Sequence, residues 1–120
     1  MFEVNAASGE IKLSRGDTGS VLFHARGYTF GANDRALFTM KSNTGAVIKQ
    51  EAYAIDSNGD FSVFFLNADT DHLAPGQYSY DVRYVINPYY DESGAIVDGD
   101  QVITPHLPRA VVLLATVGQI

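Results

Sequence analysis

Hydrophobic residues in this chain fall into short alternating runs, separated by turn residues at intervals of roughly ten positions, the spacing of consecutive strands in a sandwich or barrel. Alternation with a period of two marks a strand with one buried face, because successive side chains of an extended chain point to opposite sides. Glu10 to Ser14 and Ser20 to Arg26 are the first such runs, and in the second Val21, Phe23 and Ala25 share a face that should be core. Ala36 to Ser42 sets Phe38 and Met40 against Thr39 and Lys41, and Val47 to Ile55 follows a hairpin turn at Asn43-Thr44-Gly45. Asn58-Gly59 predicts a type I′ hairpin, since both residues tolerate positive φ.

The arm after that turn, Asp60 to Asn67, places Phe61, Val63 and Phe65 on one face and Phe64 and Leu66 on the other, so both faces are partly apolar. Gln77 to Ile86 groups Tyr78, Tyr80, Val82 and Tyr84 opposite Ser79, Asp81 and Arg83, which predicts one dry and one wet face. Ala110 to Val117 is apolar at consecutive positions and predicts partial cover plus a partner chain. Phe64, Leu66, Val111 and Leu113 are therefore the expected interface residues. Only Ala68 to Leu73 has helical character, a single turn that Asn67 or Asp69 would cap and Pro75-Gly76 would end. Residues 87–100, "NPYYDESGAIVDGD", form a long polar loop or ribbon with four carboxylates, in which Tyr89, Tyr90, Asp91 and Asp98 are the expected ligand contacts.

These elements predict an all-β fold, an immunoglobulin-like antiparallel β-sandwich of about seven to nine strands, as one domain over residues 1–120. Within "DTDHLAPGQYSYDV" the helical turn, Leu73, Pro75-Gly76 and Tyr78 match the corner before the sixth strand of such sandwiches, where the tyrosine hydroxyl bonds back to upstream backbone. With 120 residues there is room for one real core, and without cysteine it must hold by packing alone.

A formal charge of −6 with only 8 Lys+Arg argues against nucleic acid as a partner. No apolar run reaches membrane-spanning length and no secretion signal opens the chain, so it is expected to be soluble and unexported, and the absence of cysteine fits an intracellular or virion protein.

Chemical motifs are sparse. Arg15-Gly16-Asp17 is the tripeptide that integrins read, but Gly16 with Asp17 and Thr18 is fully explained as a turn in which the Asp17 side chain accepts from backbone amides. Asp56 to Asp60 imitates the start of a calcium loop, yet its glycine is fourth rather than sixth and Asn67 stands where a glutamate is needed. Asp91, Glu92, Asp98 and Asp100 are a better oxygen set, although solvated loop carboxylates are commoner than metal sites. His24, His72 and His106 lack metal-ligand spacing, and no serine sits in a Gly-x-Ser-x-Gly elbow. The reading is a non-enzyme without cofactor or metal. Tyr28, Tyr53, Tyr89 and Tyr90 could stack on sugar rings, which keeps a carbohydrate-binding or adhesion domain as the alternative.

The blocks "IKLSRGDTGSVLF", "ALFTMKS" and "DFSVFFLNADTDHLAPGQYSYDV", followed by a final apolar run, resemble the N-terminal domain of phage baseplate upper proteins and related tail or neck modules. The likeness spans residues 11–86 and rests on Arg15 to Thr18, on Phe38, Thr39 and Lys41, and on Asp69, Thr70, Leu73, Gly76, Tyr78, Tyr80 and Asp81. It implies an immunoglobulin-like assembly piece of a phage or prophage particle that docks to other virion proteins or to itself, with those positions determining the fold rather than forming an active site. No helical or linker extension of the kind a baseplate adaptor uses follows the domain.

Overall fold

The computed structural model describes residues 1–116. Nine strands and one helical turn follow one another as β1 (Phe2–Val4), β2 (Ile11–Ser14), β3 (Gly19–His24), β4 (Arg35–Lys41), β5 (Val47–Ala54), β6 (Asp60–Phe65), α1 (Asn67–Thr70), β7 (Gly76–Tyr90), β8 (Ile96–Ile103) and β9 (Arg109–Leu114). Val117, the expected end of the last strand, lies outside the described residues. Two sheets face each other as a β-sandwich. One has seven strands in the order β1-β2-β9-β7-β4-β5, with β8 also on β7; the other contains only β3 and β6. With β4, β5, β7 and β9 in one layer and β3 and β6 in the other, the connectivity is immunoglobulin-like. All pairings are antiparallel except β2 with β9, which run parallel.

The core is the set of alternating positions expected from the sequence. Val21, Phe61, Val63 and Phe65 point inward from the small sheet to meet Phe38, Met40, Tyr80, Val82 and Tyr84 from the large one. Aromatic rings fill the gap: Phe23 stacks on Phe61 at 5.1 Å and Phe38 on Tyr80 at 5.2 Å, while Phe65 meets Phe38 edge-on at 5.9 Å. The expectation that Val111 and Leu113 form an interface is overturned. Both are buried, at 0% and 1% exposure, because β9 sits between β2 and β7 inside the large sheet, where its inward row joins Ile11 and Leu13. The other row of the apolar run, Val112 and Leu114, is half-buried.

Three tight turns share one design. In Ser42–Ala46, Asp56–Asp60 and Asp91–Ala95, the fourth residue is a glycine at positive φ whose N–H donates to the carbonyl of the first. The first residue's own amide donates to the carbonyl of the fifth. Its side-chain oxygen accepts the fifth amide, at 3.1 Å for Ser42, 2.8 Å for Asp56 and 3.0 Å for Asp91. The Asn58-Gly59 turn is therefore not type I′: Gly59 has φ 83° while Asn58 stays at negative φ, the pattern of a type I turn closed by a left-handed glycine. Asp56, by capping the Asn58 and Asp60 amides, selects that form. It also joins strands of different sheets, β5 and β6, rather than a ladder pair.

The Arg15-Gly16-Asp17 segment is a turn and is held rigidly. The Gly16 peptide is buried against α1, its N–H donating to Thr70 Oγ1 at 2.8 Å and its carbonyl accepting from Asn67 Nδ2 at 2.9 Å. The Asp17 amide closes the turn on the Ser14 carbonyl, but its carboxylate pairs with the Met1 amino group instead of capping amides. The expected corner is present too: Tyr78 Oη donates to the Ala74 carbonyl at 2.6 Å, and Leu73 is buried beneath it. Helix α1 starts a residue earlier than expected, with Asp69 accepting the Leu66 amide at 2.8 Å.

Thr70 carries no solvent exposure and is the acceptor for a buried amide. Thr70→Val, nearly isosteric, should lower stability by about 1–3 kcal/mol, the cost of an orphaned buried donor. Thermal denaturation should register a fall of several degrees; an unchanged melting temperature would show that the clamp contributes nothing.

Candidate functional site

Leu22, Phe64 and Leu66 are exposed on, or just beyond the end of, the outer face of the small sheet, and Tyr89, Tyr90, Val97 and Val102 are exposed on β7 and β8. In the β3–β6 ladder, Ser20 lies opposite Phe64 and Leu22 opposite Ser62, which makes Leu22 and Phe64 diagonal neighbours on the outward side. Leu22 is 69% exposed, Phe64 57% and Leu66 61%. Phe64 and Leu66 are thus where the alternation of β6 put them. Leu22 joins them from β3, and its signal was its place between the inward residues Val21 and Phe23.

Both edges of this sheet lack a ladder partner among the described residues. The β6 edge is nevertheless shielded by a row of side chains from β5. Lys49 Nζ, nearly buried, donates to Glu51 Oε1 at 2.7 Å and Asp69 Oδ2 at 3.1 Å, and lies 5.6 Å from the centre of the Phe65 ring. Tyr53 donates to Glu51 Oε2 at 2.6 Å and stacks on Phe61. Partial burial pushes the Glu51 carboxyl up, but the hydrogen bonds from Lys49 and Tyr53 outweigh it and hold it below its usual range. The Tyr53 hydroxyl is raised by burial and by its bond to Glu51. Its ring is engaged in this seam and does not present itself to a sugar.

Residues 87–100 form a two-stranded ribbon. β7 continues to Tyr90, and its residues beyond Val85 pair with β8 alone. Asn87 takes the left-handed conformation, φ 49°, and its N–H donates to Asp34 Oδ1 at 2.9 Å, tying the ribbon's base to the sheet. Across the ladder, Gly99 packs so closely that a Cβ would lie 2.6 Å from Val85 Cγ1 and 2.8 Å from the Ile86 carbonyl. The ribbon's rings are open to solvent, Tyr89 at 47% and Tyr90 at 52%, so neither plugs the sandwich. Tyr89 donates to Asp100, which raises the phenol and lowers the carboxylate; Asn87 also donates to Asp100, at 2.8 Å. Asp91 caps the ribbon's turn and is held low by the Ser93 hydroxyl and the Ala95 amide. Asp98 accepts from the Gly99 amide.

These carboxylates are occupied with ribbon geometry rather than converging on a point. Among the described residues no three His, Asp or Glu side chains gather as metal ligands, and no helix is long and apolar enough to cross a membrane. Of the histidines, His24 pairs with Asp60, His72 with Asp71 at 3.2 Å, and His106 lies edge-on to Tyr80. Comparison with family models, with curated proteins and with solved structures finds no match.

Gly99→Ala should force the ribbon away from Val85 at a cost of about 1–3 kcal/mol, as overpacking does. Hydrogen exchange should accelerate across residues 86–101 while the β4–β7 ladder stays protected. Uniform acceleration over the whole chain, or none at all, would contradict this account of the packing at Gly99.

Proposed function

We propose that the chain is a non-enzymatic assembly module that docks onto another protein through the outer face of its two-stranded sheet. The setting implied by its likeness to phage baseplate and tail domains is a phage or prophage particle, with a virion protein as the partner. The observation that carries this reading is the row Leu22, Phe64 and Leu66, left exposed on a sheet only two strands wide. Apolar side chains gathered on one side of a small domain release water when a partner covers them, at roughly 25 cal/mol per Å². A rigid sandwich suits such a role because its partner meets a preformed surface and little ordering entropy is lost.

Phe64→Ser and Leu22→Ser lie outside the core and should leave the melting temperature within about 2 °C of the parent, as surface substitutions do. Co-expression with candidate virion proteins, followed by co-purification, should recover a complex that either substitution weakens at least about tenfold. A chain that stays monomeric by light scattering and recovers none of those proteins would remove the basis for the reading.

The exposed rings of Tyr89 and Tyr90 support a second reading, a carbohydrate-binding or adhesion domain that grips sugar faces with the ribbon. On that reading a glycan array gives selective signals that Tyr90→Ala abolishes, and an array without signal eliminates it. Tyr90 is the residue to change, since Tyr89 also braces Asp100.

A further inference from the structure

An open cleft of 520 Å³ runs along the β3 edge that carries no ladder partner. Its walls are the consecutive residues Leu22 to Arg26, with Tyr28 and Tyr84, and across from them Pro105 and His106 from the segment between β8 and β9 and Arg109 at the start of β9. In a chain of charge −6 this lining holds two arginines, two histidines and no carboxylate. Asp60 reaches His24 from the neighbouring strand, but neither Arg26 nor Arg109 has a carboxylate partner among the described residues. Arg109 is half-buried all the same, lying across Gly9 and close to the tyrosines of the sandwich. Burial raises the Tyr80 and Tyr84 hydroxyls, and the Arg109 guanidinium offsets part of that rise at both. A partly desolvated guanidinium without an anion is a poor way to stabilise a fold and a good way to receive one.

The same chain carries a complementary object. Its ribbon, residues 87–100, holds Asp91, Glu92, Asp98 and Asp100 and no Lys or Arg. Beyond Val85 its β7 strand is unpaired on the side that β4 occupies lower down, and β8 pairs with β7 alone, so the ribbon offers strand edges as well as charge. Val97, 63% exposed, and Tyr90 supply apolar contact.

We infer that the acidic ribbon of one copy enters the basic cleft of a second copy and lies along its open β3 edge, with Glu92 and Asp98 opposite Arg26 and Arg109. Backbone pairing along an edge gives affinity, and the charges fix direction and reject mismatched partners. This contact shares only Leu22 with the apolar face of the small sheet and does not depend on that face having a partner.

Sedimentation velocity on the full chain tests it. In about 0.1 M NaCl the protein should associate with concentration, and in about 1 M, where the Debye length falls from about 10 Å to about 3 Å, it should return to monomer. Arg26→Glu, at an exposed position, and the ribbon pair Glu92→Lys with Asp98→Lys should each weaken association at least about tenfold with circular dichroism unchanged. An equimolar mixture of the two variants should associate again, because the native acidic ribbon of the Arg26→Glu chain meets the native cleft of the ribbon variant. A monomer under all conditions overturns the inference, as does a mixture that fails to recover. Association that ignores salt and both reversals but disappears in Phe64→Ser also overturns it, while leaving the apolar docking face intact.

Discussion

The constraint on which the rest of this structure depends is the inequality of its two sheets. A layer of two strands cannot roof a layer of seven, and the inward row of each outlying strand of the large sheet would face water unless something else covered it. Large aromatic residues on β3 and β6 extend the small sheet's reach, since each ring covers more than an aliphatic side chain would. At the β5 margin the inward positions are not apolar at all. Lys49, Glu51 and Tyr53 form a hydrogen-bonded seam that lays methylene and ring surface on Phe65 and Phe61 while keeping the polar tips paired. Beside the β8–β9 connection no comparable seam among the described residues closes over β3, and the cleft there is the geometric remainder of the same inequality.

The corner around α1 locks this arrangement. Asp69 accepts the Leu66 amide and also receives Lys49, so one carboxylate ends β6, starts the helical turn and anchors the β5 seam. One residue on, Thr70 holds the Gly16 amide, which fixes the β2–β3 turn; three further residues bring Leu73 into the core. Tyr78 then bonds back to Ala74 at the start of β7. The segments Arg15 to Thr18 and Asp69 to Tyr78, far apart in sequence, touch each other in the fold through the Gly16–Thr70 hydrogen bond, which marks them as structural positions.

Local chemistry was legible in the sequence where the alternation of a single strand or the Tyr78 corner decided the outcome. Alternation placed Phe61, Val63 and Phe65 inside and Phe64 outside, and the corner placed Tyr78. It failed where the decision belonged to a neighbouring strand. A run such as Val111 to Leu114 reads the same whether its cover is a partner chain or its own β2, and only the parallel β2–β9 pairing settles Val111 and Leu113 as core. Asp17 could not be separated from a capping role, because its actual partner is sixteen residues away. The Asp56 turn was misread because Asn-Gly alone favours type I′ but an Asp two residues before the Asn, bonded to both amides, favours the type I form. The cleft had no signal at all: Arg26, Tyr84 and Arg109 come from three remote segments, and charge clustering that arises only on folding leaves no run in the chain.

That distribution of charge bears on how an assembly reading of this molecule would operate. Four carboxylates without a compensating Lys or Arg sit on a ribbon that extends from the body, while Arg26 and Arg109, without a carboxylate partner among the described residues, sit in the cleft beside β3. A uniformly acidic surface would make every approach of two copies repulsive; segregating the charges makes one approach favourable and leaves the rest unfavourable. Contacts of exposed charge chiefly raise the association rate and fix orientation, whereas apolar contacts chiefly govern the dissociation rate. On the proposed assembly role, the ribbon and cleft would serve encounter and the apolar row retention.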